Sequence, residues 1–157
     1  MRFEKVSEKE ASRHWYDQKD WAEMVLPCRS TANAAGYDFF LPCDVTIQEG
    51  ERVIVPTFIK AELDADKVLE IYPRSSYGIK KGVVLANTVG IIDADYYNNS
   101  NNEGHILVCL YNTGSSAVHL CKGERFCQGI IKQFFLMDGD RYGMGAGRIG
   151  GIGSSGR

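Results

Sequence analysis

From about residue 25 onward, apolar positions fall into short runs rich in Val and Ile, interrupted by Gly, Pro, Asn and Asp. That is the spacing of half-buried antiparallel strands, not of a helix with a 3.6-residue period. Runs at 52–55, 67–72, 82–86, 105–111, 117–120 and 126–136 predict strands, so residues 25–142 read as one all-β core. Ahead of it, residues 7–23 predict a helix. Ser7 and Glu10 are spaced as a capping box, with Val6 and Ala11 placed for the accompanying hydrophobic staple. The apolar stripe of this segment is thin, so residues 1–24 read as a helical extension lying on the surface, anchored by Trp15 and Trp21. The polar stretch Tyr97 to Gly104 predicts a protruding loop, since Asn, Ser and Gly favour turns. Gly143 to Arg157 contains seven glycines and no apolar period, which predicts a mobile arm over 143–157. No repeat of 20 to 50 residues is visible, which disfavours a solenoid or propeller.

Composition narrows the class. A chain of 157 residues, 44% hydrophobic and 24% charged, can bury one core and is sized for one domain. A net charge of −2 argues against a nucleic-acid partner held by broad phosphate neutralisation. A small or chelated anion stays possible. Five cysteines, at 28, 43, 109, 121 and 127, form an odd set with no C-x-x-C pair, the usage of reduced thiols in a cytoplasmic protein and not of a disulfide framework or zinc site. No apolar run reaches the length of a membrane span, and the charged opening residues do not resemble a secretory leader. A soluble, intracellular protein with no membrane partner is expected.

Several familiar sites are excluded: there is no G-x-x-x-x-G-K-[ST], and Gly143-Met144-Gly145 lies past the last strand with no helix after it. His14, His105 and His119 are scattered without a carboxylate or thiol at ligand spacing, so surface or barrel-wall histidines are expected. Arg74, Ser75 and Ser76 fall in a turn at the end of a strand, a grouping that suits phosphate oxygens but also occurs in ordinary turns. Asp93 and Asp95 follow the apolar run 89–92, where a carboxylate can act as general base or simply belong to an acidic turn. Tyr96 can pack on a sugar or base, Asn87 can complement a pyrimidine edge, and Gln128 can donate to a phosphate. Each is also common in a plain sheet. In the arm, Arg148, Ser154 and Ser155 sit among glycines that let backbone close over an anion.

Taken in order, five segments resemble the five signature segments of the trimeric dUTPase family: Ala34 to Asp38, Pro73 to Ser76, Gly90 to Tyr96, Arg125 to Gln128, and Gly150 to Gly156. The similarity covers roughly residues 25 to 157. The resemblance implies a jelly-roll-like distorted β-barrel, assembled as a homotrimer with sites shared between subunits and covered by the arm. The implied activity is magnesium-dependent hydrolysis of dUTP to dUMP and pyrophosphate, limiting uracil incorporation into DNA and supplying dUMP for thymidylate synthesis.

By the same resemblance, Asp93 activates the water that attacks the α-phosphorus. Asn87 and the backbone around Gly90 read uracil, and Tyr96 lies against the deoxyribose. Arg74, Ser75, Ser76 and Gln128 hold the triphosphate, with Arg148, Ser154 and Ser155 reaching the γ-phosphate. Asp38 orders the waters of a magnesium ion that has no direct protein ligands.

The chain departs from the family pattern where Tyr97-Asn98 and an Asn-rich insertion follow the third segment. Ile152 stands where an arm Phe usually stacks on uracil, and Arg148 lies two residues before Gly150 instead of three. Two other readings are a dCTP deaminase of similar fold, for which Glu103 is the one acid near the right region, and a nucleotide-sensing regulatory protein. The latter would use the 97–104 loop or the N-terminal extension to bind a protein partner.

Overall fold

The computed structural model of the chain describes residues 1–15, 17–140 and 151. Among these are strands β1 (Arg2–Lys5), β2 (Tyr37–Phe40), β3 (Val45–Ile47), β4 (Arg52–Pro56), β5 (Ile59–Glu62) and β6 (Lys67–Pro73). They continue with β7 (Val83–Leu85), β8 (Gly90–Asp93), β9 (Leu107–Asn112), β10 (Val118–Leu120) and β11 (Arg125–Gln133), and two short helices, α1 (Glu8–Ala11) and α2 (Gln18–Glu23), precede β2. A four-stranded sheet runs β2-β11-β6-β8, a three-stranded sheet runs β4-β9-β7, and β1-β5 and β3-β10 pair separately. Every ladder is antiparallel. The result is a jelly-roll-like all-β fold.

Period-2 burial produces it. Along β9, Val108, Leu110 and Asn112 turn inward while their neighbours are half-exposed, and β6 buries Leu69 and Ile71 in the same way. Val108, Leu110, Leu69 and Ile71 meet Phe39, Leu41, Ile47, Phe58, Ile106, Leu120 and Phe126 in a continuous core. All five cysteines are free thiols. Among the described residues, no helix is long and apolar enough to cross a membrane.

The N-terminal residues differ from the surface helix expected of them. Residues 2–5 pair with β5, helix survives only at 8–11 and 18–23, and Val6 and Ala11 are buried in the core. The capping box is half realised. Ser7 Oγ accepts from the Glu10 amide at 3.2 Å, but the Ser7 amide donates to Glu103 at 3.0 Å. The Glu10 carboxylate turns inward, because three donors wait there: Arg13 at 2.9 Å, His14 at 3.2 Å and His105 at 3.2 Å.

The histidines are therefore not all scattered. Glu10, His14 and His105 bring their ligand atoms within 4.8 Å of one another, with His105 fully buried. A hydrogen-bonding pattern explains the cluster without a metal. The Phe58 amide donates to His105 Nε2 at 3.0 Å, so the neutral ring carries its proton on Nδ1, facing Glu10. That proton occupies the position a cation would need.

The 97–104 loop also departs from expectation. Instead of protruding it folds against the domain, with Asn99 and Asn102 only 6% and 9% exposed, because their amides find partners inside.

Candidate active site

Three of the five signature segments converge on adjacent strands. Gln128 on β11 pairs with Asp38 on β2 and with Tyr72 on β6. Arg74 follows the end of β6, where its amide donates to Phe126 O at 3.2 Å. The amides of Tyr77 and Gly78 return to Arg74 O at 2.9 and 3.5 Å, closing the turn that leaves Ser75 and Ser76 exposed. The π-helical turn that follows, Tyr77–Lys81, is pinned to the start of β11: Tyr77 Oη and Lys81 Nζ each donate to Glu124 at 2.9 Å. The Lys81 hydrogen bond leads in drawing the Glu124 carboxyl down to about 2, against a smaller opposing effect of burial. Burial, then Glu124, raises the Tyr77 phenol well above its usual range.

Asp38 is 5% exposed. One carboxylate oxygen lies 3.5 Å from Arg74 Nε and the other 3.2 Å from Arg125 Nη1. An ion pair through Nε fixes the Arg74 side chain and is compatible with anion binding along the other edge of the guanidinium fork. Close packing also explains Gly36: a Cβ there would stand 2.5 Å from Gln128 Oε1, so only glycine lets Gln128 keep its place. Arg125 is the residue that sequence reasoning passed over in favour of Gln128. Its signal was only that it opens the same segment.

The third segment builds a separate feature. Between β7 and β8 the chain turns tightly, with Thr88 at φ 64° and its amide on Leu85 O at 3.1 Å. Asn87 is exposed at this turn. Beside it lies a cavity of about 320 Å³ lined by Asn87, Gly90, Ile91, Tyr96, Leu107 and Gly151 among others. Its size and apolar walls with a few polar groups suit a small organic ligand. Asp93 ends β8 opposite Val68, half-buried, and Asp95 is exposed in the 3-10 turn Ala94–Tyr96. Asp93 is not a wall of the cavity. It lies three residues along the strand from Gly90, roughly 10 Å away at an extended rise. Tyr96 is buried at 6%, and its hydroxyl donates to His105 O at 2.9 Å.

Within one chain the two features stand on opposite edges of the four-stranded sheet, Asp38 on β2 and Asp93 on β8, with β11 and β6 between them. Three strand spacings amount to about 14 Å. The structure therefore brings Asp38, Arg74 and Gln128 together beside Ser75 and Ser76, and groups Asn87, Gly90 and Tyr96 near Asp93, but does not join the two sets. Arg148, Ile152, Ser154 and Ser155 lie outside the described residues. Glu103, the acid a deaminase reading would need, is engaged elsewhere: it accepts from the Ser7 amide and hydroxyl and pairs with Lys60 at 3.4 Å.

Residues 22–141 match the family model of the dUTPases. The deoxyuridine 5'-triphosphate nucleotidohydrolase of Lactococcus lactis subsp. lactis is 45% identical over 135 residues, which is 86% of this chain and 90% of that protein. The enzyme of the same name from Aeromonas salmonicida is 34% identical over 149 residues, 90% of this chain and 93% of that one. The crystal structure of the Streptococcus mutans dUTPase superposes with a TM-score of 0.75 at 42% identity, covering 88% of this chain and 100% of the other. A dUTPase from phage phi11 of S. aureus shares the fold at a TM-score of 0.68 and 16% identity, over 87% of this chain and 92% of the other.

Proposed function

The chain belongs to the dUTPase family, and from that premise we propose that it hydrolyses dUTP to dUMP and pyrophosphate at a site completed by neighbouring copies of itself. The observation that carries the reading is the cavity at the β8 hairpin, walled by Asn87 and Tyr96 and followed along the same strand by Asp93.

In the proposed mechanism, Asn87 and the backbone near Gly90 hold the uracil edge, and the Tyr96 ring lies against the sugar where a 2′-hydroxyl would collide. Arg74, Ser75, Ser76 and Gln128 take the phosphates. Asp93 accepts a proton from water as its oxygen bonds to the α-phosphorus. The bond from that phosphorus to the bridging oxygen of the β-phosphate breaks, and pyrophosphate leaves. Ser75 donates toward the bridging oxygen as charge develops there. Arg148, Ser154 and Ser155 of the arm close over the γ-phosphate, and Ile152 covers the base.

Magnesium fits this donor set as a companion of the substrate: both Asp38 oxygens face guanidinium groups, so that carboxylate meets a cation through its water shell. When bound, the ion neutralises phosphate charge. Asp38 has a second task here, holding Arg74.

A trimer is proposed because the two half-sites occupy opposite sheet edges and because Phe135 and Met137, just past β11, are 85% and 84% exposed in the single chain. The cytoplasm, where the thiols stay reduced, is the proposed compartment. The test is sedimentation together with subunit mixing: Asp93→Asn and Arg74→Ala chains, each inactive alone, should regain pyrophosphate release when refolded together. Failure to regain any activity would count against shared sites.

A further inference from the structure

We propose that Asn102, supported by Asn99, is a positioning residue for substrate selection: it fixes the Tyr96 ring in the place where it excludes a ribonucleotide. The proposal rests on the reading of Tyr96 as the residue against the sugar.

A closed polar network lies behind that ring. The Tyr96 hydroxyl gives its proton to His105 O at 2.9 Å and accepts from Asn102 Nδ2 at 2.7 Å. Asn102 Nδ2 also reaches His105 O at 3.4 Å, and Asn102 Oδ1 accepts from Asn99 Nδ2 at 2.8 Å and the Gly104 amide at 3.2 Å. Asn99 Nδ2 donates to Tyr96 O at 2.8 Å, while its Oδ1 accepts from the amides of Asn101 and Asn102 at 3.0 and 3.1 Å. Backbone N–H groups can only donate, so they fix which end of each side-chain amide is oxygen. Each buried side-chain amide thereby uses both its protons and both its acceptor sites, the condition under which a buried network is rigid instead of destabilising.

The loop cannot easily yield. Gly104 has φ +82°, and a Cβ on it would lie 2.6 Å from Tyr96 O, so the chain passes behind Tyr96 closer than any other residue permits. From the outside the N-terminal segment braces the loop through Glu103 to Ser7, Arg13 to Asn101 O, and Glu10 to His105. Tyr96 thus presents its ring to the cavity while its hydroxyl is held from behind. Selection against a 2′-hydroxyl requires the ring to resist displacement, and the Asn pair supplies that resistance. One neutral hydrogen bond contributes about 1 to 1.5 kcal/mol, so losing the Asn102 donor should relax selection about tenfold.

The test is kcat/KM for dUTP and for UTP, measured as pyrophosphate release with magnesium, for the full chain and for Asn102→Ala, Tyr96→Phe, their double variant and Tyr96→Ala. The dUTP:UTP ratio is read because a general loss of folded enzyme lowers both rates and leaves the ratio unchanged. Asn102→Ala and Tyr96→Phe should each lower the ratio about tenfold, the double variant should fall no further than Tyr96→Phe, and Tyr96→Ala should fall furthest. An unchanged ratio in folded Asn102→Ala, or in Tyr96→Phe should Asn102→Ala fail to fold, overturns the positioning role while leaving Tyr96 against the sugar. An unchanged ratio in Tyr96→Ala removes Tyr96 from sugar selection, and the proposal falls with it.

Discussion

Between pH 7.5 and pH 5.0, acid should destabilise this fold chiefly through His105. Its ring is fully buried, and the Phe58 amide donates to Nε2 at 3.0 Å, so a second proton would have to displace that bond in a site shielded from bulk solvent. Burial is the chief reason its pKa falls from 6.5 to about 4, with the nearby Glu10 carboxylate pulling the other way. The unfolded chain takes up this proton below about pH 6.5, whereas the folded chain does not until about 4. Over that window the unfolded state binds more protons. The stability is complete above the unfolded value and is lost as pH falls through the window. At pH 5, linkage between those two values amounts to about 2 kcal/mol. Urea unfolding at fixed protein concentration, at pH 7.5 and pH 5.0, should show the wild type losing about 2 kcal/mol more than His105→Asn, although the variant starts less stable. Equal losses in the two proteins, or a His105 proton resonance that titrates near its ordinary value in the folded state, would rule out His105 as the source of the acid sensitivity.

Other consequences concern the phosphate side. Arg125→Ala removes one of the two guanidinium groups on Asp38 and loosens Arg74, so KM for dUTP should rise about fivefold, the size of a partly exposed ion pair near 1 kcal/mol, with the thermal midpoint little changed. Gly36→Ala puts a methyl within 2.5 Å of Gln128 Oε1 and should displace that side chain. Pyrophosphate release should then show a raised KM, and a crystal structure should show Gln128 in a new rotamer. An unchanged rotamer would mean that the backbone at residue 36 moves instead.

The strands with clean period-2 burial were legible in the sequence. The expected runs at 52–55, 67–72 and 117–120 match β4, β6 and β10 to within about a residue. β1, β2, β3, β5 and β8 are not among the expected strands, and β8 shows in the sequence only as the apolar run 89–92 ahead of Asp93. β1 carries a single apolar residue, Phe3, and β5 only Ile59 and Ala61, too few to establish a period, and their pairing is decided by contacts some 55 residues apart in sequence. The helix expected over 7–23 breaks after Ala11, since Glu10 is drawn into the His105 cluster by partners that local pattern does not reveal.

The Asn-rich loop misled for a related reason. Asn composition favours exposed turns, but Asn99 and Asn102 are buried because they satisfy each other and Tyr96 completely. For the site, the motifs identified the residues but not their distribution. That Asp38 and Asp93 stand at opposite edges of one sheet follows from strand order, which the spacing of motifs along the chain does not carry.

Asp93 as general base of a dUTP-selective hydrolase is checked by pyrophosphate release from dUTP, dTTP, dCTP and UTP with magnesium, comparing the wild type with Asp93→Asn. Removing the proton acceptor while keeping the shape should abolish nearly all turnover, and a general base is worth about 10²–10⁴-fold in rate. The wild type should turn over dUTP alone and rapidly, and Asp93→Asn should be reduced at least 100-fold with dUTP binding retained. Turnover of all four nucleotides at similar rates, release of ammonia from dCTP with dUTP untouched, or full activity in Asp93→Asn would contradict that reading.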